Sequence, residues 1–184
     1  MTEKNNTKEI LFDAKSIAQI IQRMANELAS ANSPGTDVVL VGIQTGGVQL
    51  AHRLAEHLGK LWDRKVPVGQ LDISMYRDDL DQRFAPKVHP TDIMFDVSNK
   101  TVILVDDVFF SGRTTRAALD ALAELGRPKR IQLAVLIDRG HRELPIRPDF
   151  VGETVPTNPD DRVDVQLGEN LDESKVVLEK GTNS

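Results

Sequence analysis

The most constraining stretch of this chain is residues 101–119, where an apolar segment leads through two adjacent acids and a small polar loop into a helix. Residues 102–105 are apolar and mostly β-branched, which is typical of a strand buried on both faces of a parallel sheet. Asp106 and Asp107 follow at once. The helix after the loop is predicted from an apolar face made of Ala118, Leu119, Leu122 and Leu125.

The loop between the acids and the helix has the composition of a phosphate site. A helix N-terminus offers unpaired backbone N–H groups and the positive end of the helix dipole to an anion. Gly112 permits a tight turn, and carboxylates one ribose away can accept hydrogen bonds from two ribose hydroxyls. The sequence therefore predicts a sugar-phosphate site made of the two acids and of Ser111, Gly112, Arg113, Thr114 and Thr115.

Other sites that combine a strand with acids fit the sequence less well. A P-loop nucleotidase needs G-x-x-x-x-G-K-[ST] and a dinucleotide-binding loop needs G-x-G-x-x-G, and the chain contains neither pattern. A receiver domain would have no use for the hydroxyl-rich loop after its acids. A purely structural turn is also disfavoured, because two adjacent acids at a strand end are costly unless they are used.

The composition is that of one globular domain. The chain has 184 residues, enough for a proper core, and we predict a single domain over 1–184. A net charge of −5 gives no global nucleic-acid signature, and the absence of cysteine suits a reducing cytoplasm. No apolar run approaches the length of a membrane span, so the sequence predicts a cytoplasmic protein with no membrane partner.

Strand and helix patterns alternate along the chain, which predicts an α/β fold with a mostly parallel central sheet flanked by helices. One helix is predicted from Asp13, with a stripe of Ile17, Ile20, Ile21, Met24 and Leu28, and another over 48–60, with Leu50, Leu54, Leu58 and Leu61 apolar. Further strands are predicted at 38–43, 66–74, 131–138, 150–155, 162–167 and 175–179, after a frayed tail at 1–8.

Two more segments belong to the expected ligand edge, because ligands in such sheets bind at the carboxyl ends of the strands. Thr45 and Gly46 begin a glycine-rich turn after the strand at 38–43, and that turn leaves amides free to face an anion. The irregular arm at 74–99 is predicted to be a flexible lid that lowers Arg77 onto a pyrophosphate and excludes water.

The stretch at 101–119 resembles the phosphoribosyl pyrophosphate (PRPP) motif of type I phosphoribosyltransferases, in which Asp-Asp is followed by a few residues and then by [Ser/Thr]-Gly-x-Thr. Nearly the whole chain is similar to the PyrR family. The segments that carry this similarity are LVGIQTGG at 40–47, LDISMYRDDL at 71–80, VDDVFFSGRTTRAA at 105–118 and QLAVLIDRGHRELPIR at 132–147. The resemblance implies a type I phosphoribosyltransferase fold with a small hood, expected in the loops and strands at 139–167.

PyrR proteins are uracil phosphoribosyltransferases, and many also regulate pyrimidine genes by binding leader RNA. The resemblance implies that uracil and PRPP give UMP and pyrophosphate with Mg²⁺ as cofactor, in a homodimer or higher homo-oligomer. The implied catalytic residues are Asp106, Asp107 and Arg77, of which the two acids would hold the ribose hydroxyls and Mg²⁺, directly or through water. The implied substrate-binding residues are Thr45, Gly46, Val108, Phe109, Phe110, Ser111, Gly112, Arg113, Thr114, Thr115, Arg139 and Val163.

The chain departs from its relatives at several positions. Some relatives carry an arginine where this chain has Gly46, which removes a charge from the pyrophosphate loop. Members that bind RNA have a basic face with Thr, His and Lys where this chain has Gln22, Asn26 and Glu153. Each lost cation weakens phosphate neutralisation, so we expect weaker RNA binding beside an intact PRPP site. The cations that remain for RNA are Arg23, Arg142 and Arg147.

Two other functions are left open by the sequence. One is an RNA-binding attenuator with incidental catalysis, which predicts a nucleotide-enhanced, salt-sensitive affinity for leader RNA. The other is a phosphoribosyltransferase for a purine or for orotate; orotate would need an extra cation, which Arg139 or Arg142 could supply. The group that takes the proton from uracil is not identified, because Asp107 and a backbone or water route are equal candidates.

Overall fold

The computed structural model describes residues 7–34, 37–76 and 89–181, which form two sheets, three α-helices and one short 3-10 helix. The helices are α1 (Ala14–Ala31), α2 (Gly46–Trp62) and α3 (Arg113–Leu125), and the 3-10 turn is Leu171–Glu173. The strands are β1 (Lys8–Phe12), β2 (Val38–Ile43), β3 (Val68–Leu71), β4 (Thr101–Phe109), β5 (Arg130–Asp138), β6 (Phe150–Thr154), β7 (Arg162–Gln166) and β8 (Lys175–Glu179).

The main sheet has five parallel strands in the order β3-β2-β4-β5-β6. Every residue of β2 is buried, as are the first six of β4, because helices cover both faces of a parallel sheet and leave no face for polar side chains. The predicted parallel sheet flanked by helices is therefore confirmed. The carboxyl ends of β2, β4 and β5 lie side by side at one edge of this sheet.

The helices divide between the two faces of this sheet. Along β2, Leu40 packs with α1 and α2, whereas Val39 and Val41 pack with α3, because successive strand side chains point to opposite faces. The predicted stripe of α1 is fully buried, and Asp13 caps the helix by accepting a hydrogen bond from the Ser16 amide at 2.8 Å. That contact with Ser16 lowers the pKa of Asp13.

Two leucines predicted to face the core do not. Leu61 is 51% exposed and Leu125 is 45% exposed. Each lies in the last turn of its helix, α2 or α3, where the sheet no longer covers the apolar stripe. The apolar pattern of a helix therefore marks its buried face correctly only over the turns that lie above the sheet.

A second, antiparallel sheet in the order β1-β8-β7 forms the hood. Its first strand, β1, was not predicted, and Lys8 belongs to it rather than to a frayed tail. Three of the five β1 residues are exposed, so β1 has no burial pattern to detect. The segment 139–167, in which the hood was expected, contributes to both sheets. Its strand β6 joins the main sheet, and only β7 belongs to the hood.

The arm predicted at 74–99 is only partly described. Arg77 and the lid function assigned to it fall in 77–88, outside the described residues. The described end returns to the main sheet, where Asp92 pairs with Gln70 of β3. None of the helices in the described part of the chain has the length and apolar composition that a membrane crossing requires.

Candidate active site

The two acids lie in the second half of β4, which continues past Val105 to Phe109. Hydrogen bonding to β5 holds this extension, with Asp106 beside Val135. Asp106 is buried and accepts a hydrogen bond from the amide of Asp107 at 2.9 Å. Asp107 is half-exposed, so its carboxylate is the more accessible of the two for a ribose.

The loop at residues 110–112, predicted to bind phosphate and called the phosphate loop below, turns from β4 into α3 at Gly112. This residue is the N-cap of α3 and has φ of 94°, a left-handed conformation that a residue with a side chain adopts only with strain. The amides of the first helical turn point toward the loop. The loop and the strand end enclose a hollow of about 110 Å³ lined by Asp106, Val108, Phe109, Phe110, Ser111, Gly112, Arg113, Thr114 and Thr115.

The turn at residues 44–47, predicted to face pyrophosphate and called the pyrophosphate loop below, lies directly beside the acids. A Cβ added to Gly46 would come within 2.0 Å of Asp107 Oδ2, and one added to Gly47 within 2.2 Å of the Val105 carbonyl oxygen. Helix α2 begins at Gly46, two residues earlier than predicted, because its first turn packs against β4 without side chains. The Gln44–Thr45 peptide bond is cis. The structure thus brings Thr45, Gly46 and Asp107 together.

Arg139 is buried and bound within the protein. Its guanidinium donates to Thr157 Oγ1 at 3.0 Å and to the carbonyls of Asn158 and Asp161 at 3.2 Å and 2.5 Å. The same group lies over the Phe110 ring, 4.1 Å from its centre, and burial lowers the pKa of Arg139. Arg139 therefore fixes a wall of the hollow and the loop before β7, and its engaged donors do not point at a ligand.

Two other predicted site residues have partners that the sequence did not indicate. The Arg113 guanidinium pairs with the Glu143 carboxylate, 3.1 Å from Nη2, and the Glu143 amide donates to the Ser111 carbonyl at 2.9 Å. The side chain of Val163 is buried in the core opposite Leu178, so only its backbone can face a ligand. The contact between Arg113 and Glu143 joins residues 30 positions apart, so no pattern in the local sequence indicates it.

The three arginines predicted to bind RNA lie in two environments. Arg142 and Arg147 line a shallow hollow of about 350 Å³ beside Phe109, at the carboxyl edge. Arg23 on α1 instead pairs with Glu27 at 2.9 Å and Glu153 at 3.2 Å. It also donates to the Gly152 carbonyl. The charge of Arg23 is therefore neutralised by its neighbours.

The acids fit a magnesium ion that arrives with its substrate. No group of three or more His, Asp or Glu side chains in the described ranges is placed to hold a metal. Mg²⁺ keeps several waters and is usually bound through one or two carboxylates and the substrate phosphates, so a full protein cage is not required. Asp106 and Asp107 provide the carboxylates.

Comparison with known proteins assigns the family. A family model described as phosphoribosyl transferase domain matches residues 7–168. A bifunctional protein PyrR from Chloroflexus aurantiacus is 55% identical over 178 residues, which make up 96% of this chain and 97% of that protein. Another from Roseiflexus is 59% identical over 163 residues, 88% of each chain. The chain belongs to the PyrR family. The resemblance to PyrR and the assignment as a phosphoribosyltransferase are thereby confirmed.

Solved structures confirm the fold of this PyrR family member. A hypoxanthine phosphoribosyl transferase from Trypanosoma cruzi aligns with a TM-score of 0.70 and 19% identity, covering 98% of this chain and 95% of that one. A hypoxanthine phosphoribosyltransferase from Staphylococcus aureus aligns with a TM-score of 0.65 and 22% identity, covering 86% and 85%. Identities this low show the fold alone, which is the predicted type I phosphoribosyltransferase fold.

Proposed function

We propose that this chain converts uracil and PRPP to UMP and pyrophosphate, and that it takes part in UMP-responsive regulation of pyrimidine genes through leader RNA. The observation that carries the proposal is the meeting of the phosphate loop, the two acids and the pyrophosphate loop at one edge of the sheet, with Gly46 against Asp107. A cytoplasmic location and a homodimer or larger homo-oligomer are part of the proposal and rest on the family resemblance.

In this proposal, each element binds one part of PRPP. The 5′-phosphate binds at the N-terminus of α3, the ribose hydroxyls donate to Asp106 and Asp107, and the pyrophosphate faces the turn at Thr45. The bond from C1 of the ribose to pyrophosphate breaks with oxocarbenium character, and a uracil nitrogen attacks C1 from the opposite face. The carboxylates stabilise the developing positive charge, and most of the acceleration comes from positioning and electrostatics.

Magnesium is the proposed cofactor, and Asp106 and Asp107 would hold it directly or through water. When bound with PRPP it would neutralise the departing pyrophosphate. The chain's own residues orient the ribose, and the ring of Phe110, backed by Arg139, excludes water from one side of the hollow.

The partners of Arg139 support uracil over orotate. Three hydrogen bonds from Nε and Nη2 tie this buried cation to the 157–161 loop, which supports a structural role for Arg139 over recognition of a base carboxylate. Arg142 and Arg147 line the outer hollow together with Asp138, and the excess of one cation suits an external anion such as an RNA phosphate. This hollow is the observation that favours RNA as a further partner.

The test is pyrophosphate release from PRPP with Mg²⁺, measured in parallel with uracil, hypoxanthine and orotate. We expect release with uracil and none above background with the other two bases. Release with orotate or hypoxanthine instead would assign another substrate. A folded protein that binds UMP but turns over none of the bases would make nucleotide-dependent RNA binding its principal function.

A further inference from the structure

The pyrophosphate loop is fastened to β3 by a pair of glutamines that no motif indicates. Gln44, the residue before Thr45, donates from its side-chain Nε2 to Gln70 Oε1 at 2.9 Å. Its backbone amide donates to the Leu71 carbonyl, also at 2.9 Å. The first residue of the loop is therefore held by β3 through both its backbone and its side chain.

Gln70 is itself held firmly. Its backbone lies in β3 beside Gly42 of β2, and on the other side it exchanges two hydrogen bonds with Asp92, at 2.8 Å and 2.9 Å. A strand residue paired on both sides has little freedom, so its side chain offers a fixed acceptor to Gln44. The orientation of the pyrophosphate loop thus depends on the position of Gln70.

The pair borders a cavity of about 540 Å³ between the pyrophosphate loop and the hood. Thr45 and Gly46 lie on one side of this cavity, and Val165, Gln166 and Leu167 of the hood lie on the other. None of its lining residues is charged. Side-chain amides offer both donors and acceptors, which suits phosphate oxygens whose charge a hydrated metal ion has already neutralised.

We propose that Gln70 is a positioning residue for the pyrophosphate end of PRPP, acting through Gln44 on Thr45 and Gly46, and that the amide-lined cavity receives this end. The inference rests on the proposed function and adds a residue on β3 to the site. Both glutamine side chains are half-buried, and a neutral hydrogen bond contributes only about 0.5–1.5 kcal/mol to stability. Loss of the pair therefore affects the loop without unfolding the protein.

The experiment compares Gln70→Leu with the wild-type chain. Leucine keeps the size of the side chain and removes the acceptor. The KM for PRPP rises about tenfold, the effect of losing roughly 1.4 kcal/mol of binding. The KM for uracil stays the same, and the melting temperature falls by no more than about 2–4 °C. The control is Gln19→Leu on the exposed side of α1, which leaves all three quantities unchanged.

A double variant separates positioning from a merely structural role. In Gln44→Lys with Gln70→Glu, an ammonium donates to a carboxylate across the same contact, so the loop is held again and the net charge is unchanged. The KM for PRPP then returns to within about threefold of wild type, less than 0.7 kcal/mol. An unchanged KM in Gln70→Leu, or a raised KM that the double variant does not reverse, overturns the positioning role alone. Absence of pyrophosphate release from the wild-type protein with any base overturns the proposed function as well.

Discussion

At the scale of single residues, the site depends on the close approach of Asp107 and Gly46. The Asp107 carboxylate lies where a side chain at position 46 would begin, so the acid and the pyrophosphate loop share one small volume. In the proposed function, the absent side chain lets Asp107 reach the point where ribose and pyrophosphate would meet.

Asp107→Asn is expected to lower kcat/KM for PRPP by about 100-fold, because hydrogen bonds to a charged group contribute roughly 1.5–3 kcal/mol. Steady-state kinetics and a melting curve measure the effect. Asp120→Asn, on the exposed side of α3, is the matched control and keeps both activity and stability. A fall in the melting temperature of Asp107→Asn would assign this carboxylate to the fold instead.

Alanine substitutions at two glycines with positive φ distinguish the effect of backbone strain on stability from the loss of phosphate binding. Gly112 has φ of 94° and Gly140 has φ of 77°, but only Gly112 lines the phosphate hollow. Alanine at either position should lower the free energy of unfolding by about 1–2 kcal/mol. Only Gly112→Ala should raise the KM for PRPP. Urea denaturation and kinetics on both variants check this, and equal KM values would contradict it.

The residues of the phosphate hollow could be predicted because they are contiguous and their chemistry is local. A strand, two acids and a small hydroxyl-rich loop carry their own signal. The partners of Arg139 and Arg113 could not be predicted, because they lie 18–30 residues away across loops. Arg139 was expected to approach the nucleotide, and its contacts with Thr157, Asn158 and Asp161 depend on how the hood is placed.

At the scale of elements, the hood is attached to the ligand edge by the loop between β6 and β7. Arg139 holds this loop from the main sheet, and Asp161 holds it from the end of the chain by accepting from the amides of Asn158 at 2.8 Å and Gly181 at 2.9 Å. These amide contacts lower the pKa of Asp161 below its ordinary value of 3.8. The carboxylate is therefore bound more strongly in the folded protein when it is charged.

The sign of the resulting pH dependence follows from that lowered pKa. Stability contributed by Asp161 is fully present above pH 3.8, the pKa in the unfolded chain, and is lost as the pH falls through the lower folded value. Asp161→Asn should be less stable than wild type at neutral pH, and the difference should shrink in acid. Urea denaturation from neutral pH to below 3.8 measures it, with the exposed neighbour Asp160→Asn as control. A difference that stays constant with pH would refute the assignment.

The order of strands is where prediction from sequence was weakest. The strands β5, β7 and β8 were located within two residues, because their buried positions leave a pattern. β1 was missed, and β6 was assigned to the hood although it extends the main sheet. Local patterning shows that a segment is a strand, but its neighbour in the sheet depends on contacts far along the chain.

At the scale of the whole molecule, we expect the distribution of charge to weaken the proposed RNA binding. The chain carries a net charge of −5, and Arg23, one of three arginines expected to meet RNA, is paired with Glu27 and Glu153. Exposed ion pairs contribute little to stability, so changing them alters the surface more than the fold. We therefore expect that the charge around Arg23 can be changed without loss of the fold.

Glu153→Lys is expected to strengthen binding to a structured leader RNA. The change removes a repelling charge, frees Arg23 from one partner and adds a cation. The slope of log affinity against log salt concentration should therefore become steeper by about one to two units. Filter binding over a salt series with UMP present measures it. Glu56→Lys on α2 controls for net charge alone. Equal salt slopes for Glu153→Lys and wild type would place the RNA contact elsewhere.

The hood sheet joins the first and last strands of the structure, with Lys8 of β1 bound to Glu179 of β8 at 2.6 Å. A ribosome synthesises β1 long before its partner exists. The main sheet and its phosphate loop can assemble during translation, whereas the hood is completed only after residue 179 has left the exit tunnel. A chain that stops short therefore lacks the hood side of the cavity that Thr45 and Gly46 line, and we expect ligand binding there to begin only once synthesis is nearly finished.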